Sequence, residues 1–154
     1  MSDLDDFLTT ILARHVQAQD ATHNGDPTPF LQLWSQTEAV TLFPAVAPGQ
    51  HGWEQVRGTM RAVAARFSDG TPLNFELVAA EVSGNPAYTV GYERSSVSVD
   101  GGPVEPTFLR VTHIYRREHG AWMLVHRHGE PGPGRNPTVD RFKADATRPT
   151  TAPE

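Results

Sequence analysis

The chain has 154 residues, of which 38% are hydrophobic and 20% charged, with no cysteine and a formal net charge of −5. A single domain of this length buries a core without covalent staples. Without thiols there is no disulfide framework, thiolate nucleophile or cysteine-bound zinc, and an acidic chain with no basic run interleaved by aromatics excludes a nucleic-acid surface. The opening residues MSDLDDFLTT lack a basic segment followed by an apolar one. No apolar run reaches the roughly 18 residues of a membrane span. The expectation is a cytoplasmic protein with neither nucleic-acid nor membrane partners.

Residues 3–22 carry Leu4, Phe7, Leu8, Ile11, Leu12 and His15 at spacings of three and four, with acids in the first turn, which predicts an amphipathic helix. Asn24-Gly25 ends it. Asp26-Pro27 opens a short second helix bearing Phe30, Leu31, Leu33 and Trp34. Ala39–Pro44 reads as a strand, and Gly52–Phe67 as a third helix through Trp53, Val56, Met60, Val63 and Phe67. Four strands follow, Leu73–Val82, Ala87–Val99, Thr107–Arg117 and Ala121–His128, separated by glycine- and proline-rich turns. Helices followed by an antiparallel meander give an α+β layout.

The last two strands form a hairpin about Glu118-His119-Gly120. In its first arm Leu109, Val111, His113 and Tyr115 share one face, an apolar row with a histidine set into it. In the second arm Trp122, Leu124, His126 and His128 share one face and Met123, Val125 and Arg127 the other, so this strand reads as covered on both sides. From Pro131 the composition changes: residues 131–154 hold five of the 13 prolines and few apolar residues. This tail is expected to be loosely ordered, with Val139 and Phe142 as its possible anchors.

The motifs Asn24-Gly25-Asp26 with Phe30 and Trp34, then Ala87–Glu93, Arg110-Val111-Thr112-His113 and Gly120–His128, follow one another over residues 4 to about 130. In this order they resemble the SnoaL-like (polyketide cyclase/ketosteroid isomerase-like) branch of the nuclear transport factor 2-like superfamily. The association domain of calcium/calmodulin-dependent kinase has a similar layout. The resemblance implies a cone over residues 1–130, three N-terminal helices packed on a strongly curved antiparallel sheet. It also implies a pocket inside and a homodimer through the outer face of the sheet. It does not imply one activity, because the superfamily includes isomerases, cyclases, dehydratases, epoxide hydrolases and assembly domains.

Two residues lead as catalytic candidates. Parity sets His113 in the apolar row of its strand, and the resemblance places Glu93 on the pocket side of the strand before it. A carboxylate and an imidazole sharing a dry cavity would be poised for proton transfer near neutral pH. The same two groups would equally serve to satisfy each other in the interior. The resemblance points Arg127 inward, to pair with Glu93 or hold an anionic substrate. His15 would roof the pocket, and Trp34, Tyr115 and Phe30, with Trp53 and Phe67, would line its mouth or belong to the core. His126 and His128 alone make an incomplete metal shell, so packing or the dimer face explains them better.

No phosphate-cradling loop, nucleotide fingerprint or Ser/His/Asp signature is present, and no cofactor or metal is expected. The family's catalytic aspartates are not matched: Asp69 and Asp100 fall in a loop and a turn. The leading expectation is a cofactor-independent isomerase, cyclase or hydratase acting by proton transfer on a small hydrophobic ligand. The alternative is a non-catalytic ligand-binding or homodimeric association domain.

Overall fold

The computed structural model describes residues 2–147, and side chains as far as residue 144. The helices are α1 (Asp3–His23), α2 (Thr28–Leu33), α3 (Trp53–Ala64) and α4 (Pro137–Thr147). The strands are β1 (Thr41–Phe43), β2 (Gln50–His51), β3 (Phe67–Ser68), β4 (Asn74–Val82), β5 (Pro86–Val99), β6 (Glu105–Glu118) and β7 (Ala121–Pro131). Seven strands in the order β2-β1-β7-β6-β5-β3, with β4 also on β5, make one curled sheet. The α+β cone is therefore present, but its sheet is mixed, because β1 runs parallel to β7.

Local chemistry explains the elements. Ser2 caps α1 by accepting from the Asp5 backbone N–H at 3.1 Å, and the Asp5 carboxylate reaches back to Ser2, a reciprocal capping box. Phe7, Ile11, His15, Ala18, Gln19 and Thr22 form the buried face of the helix, apolar at its start and polar toward its end. Before α2, the Asp26 side chain accepts from Thr28 N at 3.0 Å as expected of a capping acid, although the helix starts one residue later than predicted. At the β6–β7 hairpin His119 and Gly120 both adopt positive φ, 50° and 79°, as a two-residue turn matching strand twist requires.

Two β-bulges aim the side chains that matter. Between β6 and β7, Tyr115 faces Leu124 while Ile114 faces His126, so Val125 is an extra residue. The bulge switches the inward parity of β7: Trp122 and Leu124 are buried before it, and Arg127 and Gly129 after it. The uniform faces expected of this strand therefore do not exist, since one inserted residue turns His126 and His128 out and Arg127 in. The second bulge, at Val78, divides the β4–β5 pairing. Close by, Gly91 leaves room for the Phe75 ring, whose edge carbons would lie 2.8 Å from a Cβ at that position.

Three elements were not anticipated. The two-residue strands β2 and β3 are too short to leave a periodic signal. Residues 131–154, expected to be loosely ordered, contain α4, while residues 148–154 of that tail lie outside the described residues. Asn136 begins α4 by accepting from Val139 N at 3.2 Å and donating to Phe108 O at 2.7 Å. Thr138 donates to Glu105 O at 2.9 Å, and Arg141 pairs with Glu105 at 2.7 Å. Val139 and Phe142, the two anchors expected, are buried. The Phe142 ring packs against Phe67 and lies 3.7 Å beneath the Arg66 guanidinium carbon.

A Phe142→Ala substitution should remove about 3 kcal/mol of this docking. The expected result is faster amide hydrogen exchange through α4, with β5–β7 retaining their protection. An α4 that already exchanges at free-helix rates in the parent would contradict the packing described.

Candidate functional site

The centre of the cone is a chain of polar side chains drawn from α1, β5, β6 and β7. Glu93, 3% exposed, receives four hydrogen bonds. Arg127 grips it in a fork, Nη1 to Oε2 at 2.8 Å and Nη2 to Oε1 at 3.0 Å. Gln19 Nε2 donates to Oε1 at 3.0 Å, and His15 Nε2 contacts Oε2 at 2.6 Å. Each carboxylate oxygen thus has two partners, and together the four use all of the carboxylate's roughly four lone-pair positions.

His113 joins the chain through Arg127. Nη1 of the guanidinium lies 3.0 Å from His113 Nε2, and His113 Nδ1 lies 2.9 Å from the Tyr115 hydroxyl. An arginine can only donate, so Nε2 is the bare nitrogen and Nδ1 carries the proton toward Tyr115. The His113 ring also stacks on His15 with centroids 4.5 Å apart, and Phe75 covers the other side of His15 at 4.2 Å.

The electrostatics follow from this geometry. Burial acts to raise the Glu93 pKa, but the Arg127 charge and the hydrogen bonds from His15 and Arg127 outweigh it and hold the carboxyl well below the usual range. Burial and the neighbouring cations push His113 well below an ordinary histidine. Burial raises the Tyr115 phenol. Glu93 is thus ionised and His113 neutral at pH 7. The expectation of a Glu93–His113 acid–base pair poised near neutrality does not hold: a carboxylate saturated with donors has no lone pair for a substrate proton, and a neutral histidine bonded at both nitrogens is no acid.

Beside this network lies a cavity of about 70 Å³. Its apolar wall includes Leu42, Val63, Phe67, Val97, Leu109 and, from α4, Val139. The ionisable residues in its lining are Arg127 and His23, accompanied by Gln19 and by Thr22, Thr107 and Thr138. Of the residues expected to bind substrate, Arg127 reaches the cavity. His15, Trp34, Tyr115 and Phe30 do not: each is fully buried within the network or the core. Of the other two aromatics considered, Phe67 lines the cavity, while Trp53 packs against the core.

Two cavity residues, His23 and Gln19, were missed. With His15 they recur every fourth residue along α1, an i, i+4, i+8 polar stripe continuing the apolar one. That spacing was available as a signal. His23 Nδ1 lies 3.3 Å from Ser95 Oγ, and Nε2 makes no hydrogen bond among the described residues. Burial lowers its pKa, with Arg127 adding to the effect and Glu93 and Asp20 opposing it, so the imidazole is a neutral base at pH 7.

His15, Glu93 and His113 bring possible metal-ligating atoms within 4.8 Å of one another, the single such group among the described residues. The Arg127 guanidinium lies within hydrogen-bonding distance of both Glu93 and His113, so the cation these groups hold is an arginine, and a metal ion would have to displace it. His126 and His128 lie on the outer side of β7, and His126 Nδ1 is engaged by Thr41 Oγ1 at 2.7 Å.

Residues 11–130 match the family model described as SnoaL-like domain. Among solved structures, the chain is similar to a nuclear transport factor 2-like superfamily protein from Salmonella enterica serovar Typhimurium. The two share 20% identity over 87% of this chain and 94% of that one, with a TM-score of 0.70. It is also similar to a candidate dehydratase of the same family from Streptomyces avermitilis, at 20% identity over 84% of this chain and 99% of that one, TM-score 0.67. A ketosteroid isomerase-like protein from Erwinia carotovora matches at 14% identity over 82% of this chain and 97% of that one, TM-score 0.68. No curated protein matches by sequence. At these identities the structural likenesses establish the fold.

Two outcomes test the network. Removing one partner of a buried ion pair costs about 3–5 kcal/mol, whereas replacing both by apolar groups is far milder. Arg127→Leu and Glu93→Leu should each lower the urea-unfolding free energy by that amount and the double variant by much less than the sum; additive losses would contradict the pairing. The second is pH dependence. The lowered His113 and His23 pKa values mean that the unfolded chain binds more protons below about pH 6.5. The histidine contribution is complete above that pH and is lost as pH falls toward the folded-state values; the Glu93 contribution is lost below about pH 4.5. Melting temperature should therefore drop between pH 7 and 5, and His113→Gln should flatten the drop. A profile unchanged by that substitution would count against a buried neutral His113.

Proposed function

The chain belongs to the SnoaL-like family, and we propose that it is a small-molecule enzyme of isomerase, cyclase or hydratase type that moves a proton on a small, mostly apolar substrate. The observation that carries this reading is the placement of a neutral, desolvated His23 in the same apolar cavity wall as Arg127 and Gln19. A cavity of this kind, with few convergent polar groups and a base whose pKa is displaced, is the usual form of such a site. The likeness to a ketosteroid isomerase-like protein and to a candidate dehydratase agrees with it.

In this proposal His23 takes a proton from the carbon beside a substrate carbonyl. The C–H bond breaks, an N–H bond forms on the imidazole, and the electron pair passes to the carbonyl oxygen. Arg127 donates a hydrogen bond to that oxygen, and the low polarity of the walls strengthens the interaction as charge develops. The imidazolium then returns the proton to a different atom or to a leaving hydroxyl. Glu93, His113 and His15 are positioning residues, which hold the guanidinium still.

The test is the rate at which α-protons of small ketones exchange in D₂O, followed by proton NMR. The parent should accelerate exchange, and His23→Gln should reduce the rate by about 10²- to 10⁴-fold with ligand affinity retained. A parent that binds ketones without accelerating exchange would make this a ligand-binding domain instead.

We further propose a homodimer through the outer sheet face. Tyr88 on β5 and Ile114 on β6, opposite one another in register, are 37% and 38% exposed, and Val78 is 61% exposed. Paired apolar side chains left exposed on the outer sheet face support this reading. Sedimentation velocity should give a dimer for the parent and a monomer for Ile114→Asp; a monomeric parent would dismiss the assembly.

A further inference from the structure

Three features of the cavity's polar end together specify the head group it accepts. The first is charge. Arg127 and His23 are the ionisable residues lining the cavity, and the Arg127 charge is already cancelled by the two-point contact with Glu93. Two arginines outside the cavity lining are engaged in ion pairs of their own, Arg66 with Asp100 and Arg141 with Glu105. A carboxylate or phosphate entering here would leave water for apolar walls and a pair of no net charge, which is heavily unfavourable.

The second feature is a surplus of donors on one side. A guanidinium has five N–H groups. Three are taken, two by Glu93 and one by His113, leaving Nε–H and one Nη2 hydrogen without a partner among the described residues.

The third is an acceptor left over on the other side. A carboxylate only accepts, so the Gln19 amide must turn its NH₂ to Glu93. That orientation leaves Gln19 Oε1, on a residue of the cavity wall, buried and without a partner. A buried acceptor of this kind needs a donor, and an occupant that supplies one removes a penalty already present in the empty site.

From this juxtaposition we infer that the cavity takes a neutral hydroxy-carbonyl group: a carbonyl oxygen accepting from Arg127 and a nearby hydroxyl or enol O–H donating to Gln19 Oε1. The inference rests on the pocket reading above and names the substrate class of that site. It replaces the expectation of an anionic ligand for Arg127. A cavity of about 70 Å³ limits the enclosed portion to a head group of a few heavy atoms.

Three probes with six heavy atoms each separate the possibilities: acetoin (3-hydroxybutan-2-one), 3-methylbutan-2-one, which lacks the hydroxyl, and isobutyrate, which is charged. Dissociation constants come from ¹H–¹⁵N titrations of the full chain at pH 7.5, following the Gln19 side-chain amide and Arg127 Nε–H. Acetoin should bind about tenfold more tightly than either of the others. Gln19→Leu should erase its advantage over the plain ketone. Glu93→Gln, which frees the guanidinium charge, should shift the preference to isobutyrate.

Isobutyrate binding most tightly to the parent would overturn the inference and leave the pocket reading standing. Equal binding of acetoin and 3-methylbutan-2-one would overturn it in the same way. If no probe perturbs a cavity residue, the pocket reading fails and the inference with it. None of these readouts depends on turnover, so a failed proton-exchange assay remains a separate result.

Discussion

The structure depends on one constraint: a carboxylate and a guanidinium held in contact at the dry centre of a cone. Neither charge could be there alone, since each would cost several kcal/mol to desolvate. Their contact requires that β5 and β7, which do not neighbour each other in the sheet, both point a long side chain across the β6 strand between them. The bulge at Val125 makes this possible on β7 by reversing the parity of the strand just before Arg127. On β5, Gly91 admits the Phe75 ring that closes over His15. The polar end of α1 supplies the remaining two donors, so the helix is tied to the sheet by hydrogen bonds as well as by its apolar start.

This arrangement separates support from chemistry. Groups that are fully satisfied hold their position and are poor reagents; groups with unfilled capacity are the ones a ligand can use. Glu93 and His113 belong to the first kind. Arg127 belongs to both, bonded on one edge and open on the other. Gln19 Oε1 and His23 Nε2 belong to the second. The cavity lies where the unfilled groups meet an apolar wall, and α4, beyond the residues matched to the family, completes that wall with Thr138 and Val139. A helix outside the family match thus supplies part of the cavity surface, a means by which members of one fold come to accept different ligands.

Much of the architecture could be read from residue patterns, because the signals were long and periodic. The α1 stripe, the inward row Val111-His113-Tyr115 and the glycine of the hairpin turn each follow a simple repeat. The bulge in β7 was invisible for the opposite reason: a single extra residue has no period, and it shifted His126 and Arg127 to faces that alternation would not assign. α4 was hidden by the prolines around it, although its two anchors were legible as the apolar residues of the tail. At the site, His113 was picked out by the parity of its strand and His15 by the apolar stripe of its helix, while the resemblance placed Glu93 and Arg127; the four prove to form one connected network. Their roles were not legible, because a role depends on how many lone pairs and protons remain free, and that is a property of the assembled network. His23 and Gln19 escaped because a polar residue near a helix end reads first as solvent-exposed.

The central claim is that Arg127 fixes His113 as a neutral, Nδ1-protonated imidazole and leaves His23 as the neutral base facing the cavity. Long-range ¹H–¹⁵N correlation of the histidine rings across pH 5–8 measures both at once. The account predicts that His113 stays in that single tautomer throughout, while the His23 nitrogens titrate below the usual histidine range and move when a ketone binds. A His113 that titrates near pH 6.5, or as the opposite tautomer, would contradict the network and the division of roles built on it.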